Sequence, residues 1–225
     1  MKKLSSLLLT STMLTSTLLA ADIDVKIVNL TKGINFTPLL VTAHKADNKL
    51  YMAGTAASEN LQKMAEGGDV SGLAFDLTAN GANNVENPAE GLLAPGTSTT
   101  TSLTTTADNT HLSIVAMMLP TNDGFIGLNA WEIPKTAGTY MVHLNAHDAG
   151  TEANNEIVNG AGAPGELGIP ADPGGANATS SEGITAEAEG YIHIHRGIVG
   201  GEKSDLDATA HRFLNPVAAV IVTVK

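Results

Sequence analysis

The chain has 225 residues, 43% of them hydrophobic, which is enough for one ordinary domain with a buried core. Its formal charge of −11 argues against nucleic acid and anionic lipid as partners and suits a hard cation. The absence of cysteine excludes disulfides, thiolate chemistry and lipid-modified cysteine.

Lys2 and Lys3, a Leu-, Ser-, Thr- and Met-rich run from 4 to 19, and the small residues Ala20 and Ala21 read as a signal peptide over residues 1–21. A retained anchor is the competing reading, but the run is short and diluted with hydroxyl side chains. Residues 22–225 are then expected to form one exported domain, in the periplasm or outside the cell, with no stable membrane insertion after cleavage. Without disulfides, such a domain must be held by its core, or by a core plus a metal clip.

Residues 22–30 (DIDVKIVNL) alternate apolar and polar side chains and predict a half-buried strand. A short strand follows at 39–43. Residues 54–69 predict a helix capped by Ser58, stopped by Gly67 or Gly68, with Leu61, Met64 and Ala65 on one face. Residues 70–80 fit either a second helix or a strand, and 82–96 carry turn chemistry throughout. The Thr-rich run 97–107 reads as an edge strand. Residues 111–119 (HLSIVAMML) and 139–146 read as buried strands. Residues 159–190, rich in Gly, Ala, Pro, Asn and Glu, read as a long surface excursion, and strands return at 190–196 and 216–225. Strands separated by turn signals predict a mainly β fold, an antiparallel β-sandwich with one or two short helices in connections.

Two oxygen-rich loops follow strand-like segments. The first presents Asp123, and the second presents Asp148 and Glu152 within DAGTE. Three carboxylates on flexible, glycine-containing loops suit calcium, which takes six to eight oxygen ligands, better than magnesium with its stricter octahedron. The plainer reading is that Asp123 and Asp148 cap turns. His193 and His195 form a His-x-His pair that would hold zinc or copper if His44, His143, His147 or His211 came near; the alternative is two ordinary polar residues on a strand. Trp131 reads as a half-buried anchor beside the acidic loop, or as part of a carbohydrate groove. No nucleophile elbow, phosphate loop or zinc-protease helix is present, so no enzyme is expected.

The segment HLSIVAMMLPTNDGFIGL, the DAGTE motif, and GTAAS followed by AEGG resemble the spondin N-terminal domain family, over nearly all of residues 22–225. The resemblance implies a C2-like β-sandwich that binds calcium through Asp123, Asp148 and Glu152. It departs from animal members at Gly124, where they carry Trp, and at Glu152, where Asp is common. The family's disulfides and thrombospondin-type repeats are missing, as in single-domain bacterial members. The expectation is an exported calcium-binding module that meets an unknown protein or surface partner. The alternatives are a metal-dependent hydrolase built on the same carboxylates, or a periplasmic zinc or copper protein built on His193 and His195.

Overall fold

Ile23, Val25 and Ile27 are fully buried while their neighbours face outward, so the first strand lays one face on the core. The computed structural model describes residues 21–175 and 182–225; of the signal peptide expected over residues 1–21, all but Ala21 lies outside the described residues. In chain order the elements are β1 (Asp22–Asn29), β2 (Asn35–Phe36), β3 (Leu40–His44), α1 (Glu59–Gly67), α2 (Ser71–Ala79), β4 (Asn83–Glu86), β5 (Ser98–Thr104), β6 (His111–Leu119), β7 (Gly124–Glu132), β8 (Gly138–Asp148), β9 (His193–Ile194), α3 (Ala208–His211) and β10 (Ala218–Val224).

The strands run in the order β4-β3-β6-β7-β8-β10-β1-β5, all pairs antiparallel, with β2 added to β6 and β9 to β8. The 11-residue β8 turns the corner: residues 138–144 pair with β10, and residues 145–148 pair with β7. The ends of the path, β4 and β5, return to each other, and Thr99 Oγ1 donates to the Pro88 carbonyl at 2.9 Å across that seam. The sheet is therefore nearly closed and barrel-like. The expected sandwich is met as mainly antiparallel β with short helices in connections, but the strands form one continuous sheet because β8 belongs to both halves.

The helix after β3 begins where Ser58 Oγ accepts the Leu61 N–H at 3.2 Å, and it ends at Gly68, which takes φ +74°. Leu61, Met64 and Ala65 enter the core as predicted. The ambiguous run 70–80 forms α2, with Leu73, Ala74 and Leu77 buried. Alternation does not disclose β7, because Gly124 and Gly127 interrupt it in GFIGLNAW. Gly127 is needed there: a Cβ would collide with the Tyr51 hydroxyl, which lies over the strand. β4 lies within the predicted turn region, and the strand expected at 190–196 shrinks to β9. The expected excursion at 159–190 contributes Ile169 to the core, bridged to Val158, and Gly165 N–H donates to Glu66 Oε2 at 2.7 Å. Its described parts therefore pack on the body instead of projecting from it.

Leu61 is fully buried, whereas Phe75 on α2 is 75% exposed. Leu61→Ala is expected to lower unfolding free energy by about 2–5 kcal/mol, and Phe75→Ala to change it by less than about 0.5 kcal/mol. Urea denaturation of both variants checks the orientation of the two helices.

Candidate metal centre

The loop between β6 and β7 is closed by Thr121, whose hydroxyl oxygen accepts the Gly124 N–H at 3.0 Å. Gly124 then pairs with Asp148 in the β7–β8 register, and Ala149 N–H donates to the Asp123 carbonyl at 3.2 Å. Ordinary strand pairing thus brings Asp123 and Asp148, distant in sequence, to one end of the barrel. Two glycines make this possible. A Cβ at Gly124 would stand 2.6 Å from Thr121 Oγ1 and 3.0 Å from His195 Cδ2. Gly150 takes φ +68°, and a Cβ there would overlap the Tyr191 backbone.

Asp123 and Asp148 are both fully buried. Asp123 Oδ2 accepts from Thr151 N–H at 2.7 Å, from the Thr151 hydroxyl at 3.2 Å and from Glu152 N–H at 3.1 Å. Its other oxygen, Oδ1, is buried with no hydrogen-bond partner. Asp148 Oδ1 accepts from Gly150 N–H at 2.8 Å, and Oδ2 accepts from Asn154 Nδ2 at 2.8 Å. Among the described residues no lysine or arginine pairs with either carboxylate. Burial, and then the charge of Asp148, push the Asp123 carboxyl up to about 7 against the pull of its three donors.

Glu152 joins this group by its backbone, but its carboxylate turns elsewhere. Oε2 accepts from Asn122 Nδ2 at 3.1 Å and Gly168 N–H at 3.2 Å, while Oε1 is buried without a partner. Burial pushes this carboxyl up to about 7 as well, opposed by those two bonds and aided by the charge of Glu66. Asn122 also accepts the Glu156 N–H at 3.2 Å, so the acidic loop and the DAGTE segment are laced together.

Among the described residues, the donor atoms that lie within 4.8 Å of one another are those of Asp148, Glu189 and His193. His193 Nε2 stands 3.6 Å from Asp148 Oδ1 and 3.6 Å from Glu189 Oε2. Burial lowers the His193 pKa, but the Ile194 carbonyl and the charges of Asp148 and Glu189 outweigh it, so the net shift is upward. His195 is buried against Phe213, 5.2 Å between ring centres, and desolvation lowers its pKa to about 4. Among the described residues, His195 contributes no donor atom to the group that His193 forms with Asp148 and Glu189. The other candidates are engaged elsewhere: His44 with Ser113, His147 against Phe125 and His211 beside Asp172, while His143 is exposed on β8. Glu189 was missed because it lies in the segment read as a surface excursion; its only signal is the spacing Glu-x-x-x-His. Trp131 is half-buried near Tyr140, but it stands seven residues along β7 from Gly124, away from the acidic loop it was expected to flank.

The Spondin_N family profile matches residues 29–158, more than half of the chain, and the protein belongs to the spondin N-terminal domain family. The matched span is shorter than the resemblance read from the sequence; it holds Asp123, Asp148 and Glu152 and ends before Glu189 and His193. No curated protein matches the chain.

Asp123 and Glu152 bind protons more tightly when folded, at about 7, than in an unfolded chain, at about 4. The folded state holds the extra protons between those values, so these two groups contribute stability at acid pH that is lost as pH rises to about 7. Buried His195 contributes in the opposite sense below about pH 6.5, so the prediction is a difference: between about pH 5 and 7.5 the metal-free wild type should lose melting temperature relative to Asp123→Asn, which has no carboxyl to titrate. A wild type that gains on Asp123→Asn across this window contradicts the assignment.

Proposed function

We propose that this spondin-family domain is an exported calcium-binding module that meets a protein or surface partner and performs no catalysis. The observation that carries the reading is the pair of fully buried carboxylates, Asp123 and Asp148, with Asp123 Oδ1 lacking any hydrogen-bond partner. Two carboxylates cannot both ionise in such a place without compensation. A hard cation supplies it, and oxygen donors on turning loops match calcium. In this reading Asp123 and Asp148 hold the ion and Glu152 completes the set by turning its unpartnered Oε1 toward it. Asn122 and backbone carbonyls of the same loops offer further oxygens.

Export is supported by the charged, apolar and small-residue order of residues 1–21. The non-catalytic reading is supported by the zero exposure of both aspartates, since a metal-dependent hydrolase needs a substrate-accessible cleft beside its ion. A bound ion instead fixes the two loops as one rigid surface at the end of the barrel, which suits recognition of a partner.

Calcium added to metal-stripped protein should raise its melting temperature, corresponding to about 2.7 kcal/mol at a hundredfold excess over Kd. Asp123→Asn and Asp148→Asn should each abolish the rise, while Asp123→Asn leaves the metal-free protein at least as stable as wild type at neutral pH. No response of the wild type to calcium sinks the proposal.

A further inference from the structure

Asp148 faces a second group of donors on its outer side, formed with residues beyond the span matched by the family. His193 Nδ1 lies 3.0 Å from the Ile194 carbonyl oxygen, so this nitrogen carries the proton and donates. In the neutral ring the lone pair on Nε2 then points between Asp148 Oδ1 and Glu189 Oε2, each 3.6 Å away. Nε2 is itself shielded from solvent and makes no hydrogen bond. Three electron-pair donors thus converge, at separations too long for hydrogen bonds.

We propose that His193 Nε2, Asp148 Oδ1 and Glu189 Oε2 form a three-ligand site for a zinc-class divalent ion, distinct from the calcium position. The spacing fits such an ion: ligands at tetrahedral bond lengths of about 2.0–2.1 Å stand roughly 3.4 Å apart. The donor set selects the metal, because imidazole suits zinc and its neighbours whereas calcium and magnesium take oxygen. The hydrogen bond from Nδ1 to a backbone carbonyl is the arrangement by which metal-bound histidines are held in the correct tautomer.

His195 provides a second, independent indication. It is 5% exposed, its Nδ1 accepts the Gly197 N–H at 2.9 Å, and so its Nε2 carries the proton. That buried N–H has no acceptor. The same edge of the ring abuts Gly124, the register partner of Asp148, and both Asp148 and His193 act on it electrostatically. An ion on Asp148, with its bound oxygen ligand, gives this orphaned donor something to meet. The side chains of Glu189 and His193 are 29% and 25% exposed, so the rim of the site reaches the surface although Nε2 itself is covered. Three protein ligands leave one coordination position open to water or to a side chain of a partner.

The test is zinc binding by the tag-free mature chain, measured with Zn2+ alone against a chromophoric chelator. One zinc per chain is expected. His193→Ala and Glu189→Gln should each weaken binding at least about 100-fold, more than loss of an outer partner does, while His143→Ala, on an exposed site of β8, leaves it unchanged. Circular dichroism establishes that the variants fold. Wild type without stoichiometric zinc, or zinc binding indifferent to both substitutions, overturns the proposal and leaves His193 as a protonated ion-pair partner of the two carboxylates. The site does not rest on calcium: the calcium-driven rise in melting temperature should survive His193→Ala. Zinc binding that follows His193 in a protein indifferent to calcium removes only the calcium reading.

Discussion

Two carboxyl groups held out of water at one point of the strand register dominate this molecule. Asp123 closes the β6–β7 loop and Asp148 ends β8, and the pairing of Gly124 with Asp148 fixes them together. Coulomb repulsion in such a site is only modestly relieved by neutral backbone donors. The surrounding chain is arranged to supply those donors. The DAGTE segment bends so that the Thr151 and Glu152 amides reach Asp123, and the Gly150 amide and Asn154 reach Asp148. The remaining deficit, an Asp123 oxygen with nothing to bind, is what a cation would fill.

The barrel explains how this charge is held at all. β8 pairs with β10 along one half and with β7 along the other, so the strand that carries Asp148 also joins the two halves of the sheet. Beneath the site, Phe125 and Ile126 are fully buried and Phe125 stacks on His147 at 5.3 Å. Displacing the loops would drag these core residues with them. The Glu189–His193 segment packs over this end, tied to it by the Gly190 N–H donating to the Gly150 carbonyl at 2.8 Å and by the pairing of His193 with Asp148.

Much of this was legible in the sequence, for identifiable reasons. The alternation in β1, the apolar run of β6 and the Ser58 and Gly68 caps of α1 are local signals, and local structure followed them. Asp123, Asp148 and Glu152 stood out because acidic residues beside glycine after a strand mark loops that can turn around an ion. What failed was long-range. β7 hid behind Gly124 and Gly127, whose purpose is to admit Thr121, His195 and Tyr51 from distant parts of the chain. The direction of the Glu152 carboxylate depends on Gly168, and the partner of His193 is Glu189, in a stretch whose composition suggested only solvent. The closure of the sheet depends on β8 serving both halves, which no single segment discloses.

In the proposed function a calcium ion sits between the carboxylates of Asp123 and Asp148. Anomalous diffraction from crystals of the mature chain grown at saturating calcium tests it most directly. The expected density is an ion within about 2.3–2.6 Å of an oxygen from each aspartate, with Asp123 Oδ1 among its ligands. Well-ordered loops with no ion between them, and both aspartates bonded only to their present donors, would contradict it.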